Sequence, residues 1–178
     1  YISKALGLSM ISLIEKSLNA KTSEEIQEVL NNLKFRIPKP YRLNSVTETL
    51  HLGEANCYEA SLVAAHLMRS QGFVPRLLLL FSPPKNKVRE GHAVYVYEKD
   101  GNFFSLGRSS NIDLEARLHP HKTIASLASS YAKGFNGMGL VLDSFAVVEL
   151  KGNEWVASKK PITEYLVNLA STANYTKI

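Results

Sequence analysis

Cysteine is almost absent: Cys57 is the only one among 178 residues. No intramolecular disulfide can form, so the fold does not depend on an oxidising compartment, and a cytoplasmic location is the expectation. Zinc sites built from four cysteines, or from two cysteines and two histidines, need more sulfur than the chain carries. Ten glycines and seven prolines are too few for a collagen-like or linker chain. No long hydrophobic run exists. The densest, Leu77-Leu78-Leu79-Leu80-Phe81, is far too short to span a bilayer, so no membrane association is expected. Charge of one sign is not concentrated either. The 21 basic and 16 acidic residues give a net charge of +5, spread along the chain. No basic run alternates with aromatics as a nucleic-acid platform requires, so nucleic acid is not an expected partner. What remains is a globular composition, 45% apolar and 21% charged, with enough chain for the core of one domain.

Ile2, Leu6, Met10, Leu13 and Ile14 recur at helical spacing and predict an amphipathic helix over 2–18. It lacks the basic flank and uniform apolar region of a signal peptide. Thr22, three residues before Glu25, forms a capping-box pattern ahead of Ile26, Val29, Leu30 and Leu33, the stripe of a second helix. Pro38 and Pro40 disfavour helix before them, so 34–50 reads as irregular and extended. Cys57, Ala60, Ala64, Leu67 and Met68 predict a helix over 57–70, stopped by Gly72. Strands are expected over 76–81, 92–98, 102–106 and 144–150, with Asp100-Gly101 as a hairpin turn. Helices are expected over 123–133 and 161–170. Gly134, Gly137 and Gly139 mark a loop, and 171–178 reads as a polar tail. Closely spaced strands without intervening helices predict an α+β domain with an antiparallel sheet. The expected organisation is one domain, 1–178, with N-terminal helices over 2–34, a core over 53–150 and a C-terminal helix and tail.

The chemistry concentrates in Gly53-Glu54-Ala55-Asn56-Cys57-Tyr58-Glu59-Ala60. A loop enters the first turn of a helix, and a cysteine sits there. Free backbone N–H groups and the helix dipole favour a thiolate at that position. The same groups would stabilise an oxyanion formed by attack on a carbonyl. The alternative is a small buried hydrophobe. His92 opens a strand after Gly91 and the basic loop carrying Lys85, Lys87 and Arg89. It is either the base that takes the thiol proton or a surface histidine at a strand end. Glu59 reads as a first-turn acid, or as an ion pair with Arg76 or Arg117 that positions the helix. His119-Pro120-His121 offers two imidazoles without an evident third ligand, so no metal is expected. Neither a phosphate loop nor Gly-x-Ser-x-Gly is present.

Cys57-Tyr58-Glu59 opening a helix, Gly72-Phe73-Val74-Pro75-Arg76 turning into a strand, and Gly91-His92-Ala93-Val94-Tyr95-Val96 on the next strand resemble the core of the transglutaminase-like superfamily. Phe103-Phe104-Ser105-Leu106-Gly107-Arg108-Ser109-Ser110 and Leu127-Ala128-Ser129-Ser130-Tyr131 are similar to a less characterised branch of it. The resemblance covers roughly residues 53–150. It implies a papain/transglutaminase-like fold, with the nucleophile helix packed on an antiparallel sheet, Cys57 as nucleophile and His92 as base. A third residue, usually Asp, orients the histidine in that family, and here its position falls on Gly107. Ser109 and Asn111 are then the foremost candidates to orient His92, with Ser110 or a main-chain carbonyl from 105–108 also open and Asp113 further off. The implied activity is hydrolysis or transfer of an amide or acyl group on a protein or peptide, without a cofactor. Peptidase or amidase is favoured over a calcium-dependent crosslinker, because no EF-hand-type loop is present. The rival expectation is an inactive binding module on the same fold.

Overall fold

The computed structural model describes residues 13–37, 42–83, 91–110 and 118–178. The first part of the predicted helix 2–18, the basic residues Lys85, Lys87 and Arg89, and Asn111, Asp113 and Arg117 lie outside them. Helix α1 covers 13–19 of the described chain, and α2 spans Ser23–Asn32. Half of the expected capping box is present: the Thr22 hydroxyl accepts from the Glu25 N–H at 3.2 Å, whereas the Glu25 carboxylate accepts from the Lys21 N–H at 3.1 Å.

The passage 34–50 is not irregular throughout. Strand β1 (Lys34–Phe35) pairs in parallel with β2 (Glu54–Ala55), and α3 occupies Val46–Leu52. Ser45 caps α3 by accepting from the Glu48 N–H, and Gly53 closes it with a φ of 69°. Helix α4 (Cys57–Arg69) follows, then β3 (Arg76–Phe81), β4 (Gly91–Lys99) and β5 (Asn102–Leu106). The β4–β5 turn has positive φ at both Asp100 and Gly101, which suits the twist of a two-residue hairpin. Helix α5 (Ile124–Asn136) runs on through Gly134, where a side chain would meet open space, so the expected loop begins only at Gly137. Strand β6 (Ser144–Glu149), the short α6 (Glu154–Ala157) and α7 (Thr163–Ser171) complete the helices and main strands. The expected polar tail is partly ordered as β7 (Thr176–Lys177), paired with β6.

The main sheet has the order β5-β4-β3-β6-β7 with every pair antiparallel. It is covered on both faces, and strand alternation sorts the side chains. Leu77, Leu79, Ala93, Tyr95 and Tyr97 pack with the α4 residues Ala60, Val63, Ala64 and Leu67. Leu78, Leu80, Val94 and Val96 pack with Leu127, Ala128, Tyr131 and Phe135 of α5. Burial on both faces explains why β3 is an unbroken leucine run rather than an alternating one. The result is a mixed α+β fold with a helix across each face of an antiparallel sheet. Among the described residues no helix is long and apolar enough to cross a membrane.

Candidate functional site

Helix α4 begins at Cys57 because Asn56 stops the extended chain and caps it. The Asn56 Oδ1 accepts from the Glu59 N–H at 2.9 Å, and a Glu59 carboxylate oxygen accepts from the Asn56 N–H at 3.1 Å. Each satisfies a donor the helix start would leave free. Glu59 is fully buried. Its charge is met by Arg36, whose Nη2 donates to both carboxylate oxygens at 3.0 and 2.9 Å, and by the Asn44 N–H at 2.8 Å. The expected structural ion pair therefore exists with a different partner, Arg36. Arg76 stands in β3 between Val96 and Glu149. Arg36 follows β1, which pairs with the strand just before Asn56, so the guanidinium is carried directly to the helix start.

Cys57 is half-buried at the first position of α4. Its sulfur faces three backbone N–H groups, those of Ala93, Tyr58 and Cys57 itself. Each favours the thiolate. Burial nevertheless wins and pushes the thiol up to about 11, with the Glu59 charge adding a little in the same direction. Burial thus opposes the thiolate that the helix start favours. Helix-end donors lower a thiol only as far as desolvation allows, and the neutral form prevails at physiological pH.

Ala93 belongs to β4, one residue after His92. Strand β5 ends at Leu106, opposite Tyr95, so the stretch Gly91–Val94 has no β5 partner, and there the thiol meets the strand. His92 is 2% exposed. By alternation its side chain belongs to the α5 face, where its ring lies 4.7 Å from that of Phe135 and 5.7 Å from that of Tyr131. It is therefore not the exposed strand-end histidine of the bland alternative.

Gly107, where the sequence resemblance places an orienting acid, is gripped by Gln27. The Gln27 Nε2 donates to the Gly107 carbonyl at 2.8 Å, and the Gly107 N–H donates to Gln27 Oε1 at 3.1 Å. One side-chain amide thus replaces a strand partner where β5 stops. A Cβ at position 107 would sit 2.7 Å from Val94 Cγ1. Beyond it the Arg108 side chain donates to the Ser109 and Leu33 carbonyls. Ser109 is buried, and its Oγ makes no hydrogen bond among the described residues; Ser110 is exposed. Continuing the β4–β5 register would bring Ser109 level with His92.

Asn56, Arg36 and Gln27 do not stand out in the sequence as site residues. The Asn56-x-x-Glu59 spacing is a legible capping box, whereas nothing local marks Arg36 or Gln27. His121 bridges Phe103 through its backbone, and its Nδ1 lies 3.2 Å from Ser126 Oγ. Burial and neighbouring His119 lower its pKa. Among the described residues no three His, Cys, Asp or Glu side chains group to hold a metal.

No protein-family model matches the chain, and no curated protein matches it. Among solved structures, Legionella pneumophila LapG (EGTA-treated) is similar at 11% identity with a TM-score of 0.43, over 94% of this chain and 83% of that one.

Proposed function

We propose that this chain is a transglutaminase-like thiol enzyme acting on an amide or acyl group of a protein or peptide. The observation that carries the reading is the placement of Cys57. It opens a capped helix, and its sulfur faces the backbone N–H of the residue after His92, at a stretch of β4 that β5 does not pair. Because the thiol rests protonated, attack requires its proton to leave as the bond forms. In this reading His92, whose ring lies on the α5 face, turns at the stretch of β4 that β5 does not pair to take the thiol proton as Cys57 Sγ adds to the carbonyl carbon and the carbonyl π electrons move to oxygen. The tetrahedral intermediate then collapses, the C–N bond breaks, and His92 returns the proton to the departing amine. Water completes the cycle with His92 again as base, giving a carboxylic acid and free thiol. Ser109 Oγ is buried and holds no hydrogen bond among the described residues, so in this reading it orients His92 only by forming a new bond during the reaction, with Asn111 as its alternate. No metal or cofactor takes part, the site lies in one transglutaminase-like domain, and the single free cysteine suits a cytoplasmic setting.

The test is acylation by p-nitrophenyl acetate followed by peptide mass spectrometry. The expected result is acetyl transfer to Cys57 at neutral pH at least about tenfold faster than to a free cysteine, and none in Cys57→Ala. A rate no faster than the free thiol overturns the reading. It would favour the second one, a binding module without activity, for which the absent acid at Gly107 and the raised thiol speak.

A further inference from the structure

An N-cap asparagine uses only its oxygen, and Asn56 shows what that leaves over. Its Oδ1 is committed to the Glu59 N–H, and its backbone N–H to the Glu59 carboxylate. The other half of the amide, Nδ2, carries two N–H donors and makes no hydrogen bond among the described residues, although the residue is only 5% exposed. A buried amide donor left unpaired costs free energy, and such a group needs an explanation. Serine or aspartate would cap the helix about as well without that cost. The amide is also fixed in place: the cap bond to Glu59 holds its head at the start of α4, and the next residue is Cys57, whose sulfur faces the backbone N–H groups of Cys57 and Tyr58. Buried, oriented donors at the helix start that carries the attacking atom are the elements of an oxyanion site.

We propose that Asn56 Nδ2 is a side-chain donor to the oxyanion formed when Cys57 attacks a carbonyl, acting together with the backbone N–H groups at the start of α4. This rests on the thiol-enzyme reading above and adds a residue to it. As Sγ bonds to carbon, the carbonyl oxygen gains a full negative charge, and one of its lone pairs accepts from the amide. When the intermediate collapses the C=O bond re-forms and the charge is gone. Asn56 therefore stabilises the intermediate and the transition states flanking it, while transferring no proton. One amide serves two ends: its oxygen starts the helix that presents the nucleophile, and its nitrogen receives the charge that nucleophile creates.

Two reactions of the same thiol separate this role from mere support of the helix. Acylation by p-nitrophenyl acetate passes through an oxyanion; alkylation by iodoacetamide displaces iodide at a saturated carbon and does not. In Asn56→Ser and Asn56→Asp, which keep a capping oxygen and remove the amide donor, acylation of Cys57 is expected to fall about 100-fold while alkylation stays within about threefold of wild type. Equal losses in both reactions, or acylation at the wild-type rate, would overturn the proposal. If wild-type Cys57 does not acylate faster than free cysteine, the thiol-enzyme reading fails and this one with it. If the wild type acylates and both variants match it, only the role of Asn56 falls.

Discussion

A side chain at position 107 would leave the end of β5 pointing at Val94, whose Cγ1 lies 2.7 Å from where its Cβ would stand. Val94 is fully buried on the α5 face and, being β-branched, has little rotamer freedom with which to yield. The glycine is thus held by packing as well as by the two hydrogen bonds to Gln27. An acid placed at this position is therefore not expected to create a working triad. Gly107→Asp is expected to lose about 2 kcal/mol or more in urea unfolding, from overpacking together with a carboxylate forced against an apolar wall. It leaves the acylation rate of Cys57 no higher than wild type. An aspartate variant of unchanged stability and raised activity would contradict this placement.

The start of α4 depends on one buried carboxylate. Glu59 satisfies the backbone of Asn56 and Asn44 and receives Arg36, so it ties together β1, the approach to α3 and the start of α4. Glu59→Ala leaves a half-buried guanidinium uncompensated and two backbone donors unmet. A loss of about 3–5 kcal/mol in chemical unfolding is expected, and a loss below about 1 kcal/mol would show that the pair is not the brace described. The elements themselves were legible in proportion to their local signal. β3 and β5 fall where apolar content and the flanking turn residues place them, and Thr22 caps α2 as its spacing indicated. Helix α3 was hidden behind Pro38 and Pro40, although Ser45-x-x-Glu48 carried its cap. β7 is two exposed residues whose only structural reason is the free edge of β6, which no local pattern displays. Gly134 sits on a solvent-facing turn of α5, where the usual penalty of about 1 kcal/mol for glycine in a helix is tolerated.

At the scale of the whole molecule, the sheet separates two cores, and the candidate site lies at the stretch of β4 beyond the end of its pairing with β5. Cys57 comes to β4 on a helix from one side, whereas His92 carries its ring among the aromatics of α5 on the other. The order of cysteine and histidine along the chain was readable, but the face each takes was not, because it follows from register and from where β5 ends. Neither was the balance that leaves the thiol neutral, since desolvation is a property of the folded surroundings.

That neutral thiol makes the central claim measurable through pH. If His92 removes the proton during attack, its loss matters most where the thiol cannot ionise alone. The rate to follow is p-nitrophenyl acetate acylation of Cys57 in wild type and His92→Ala, from neutral pH to about pH 10, well below complete ionisation of the thiol. The account predicts a deficit of about 100-fold or more at neutral pH that narrows steadily as pH rises toward the thiol pKa and hydroxide takes over the base's work. Equal rates for the two proteins across the whole range would contradict it.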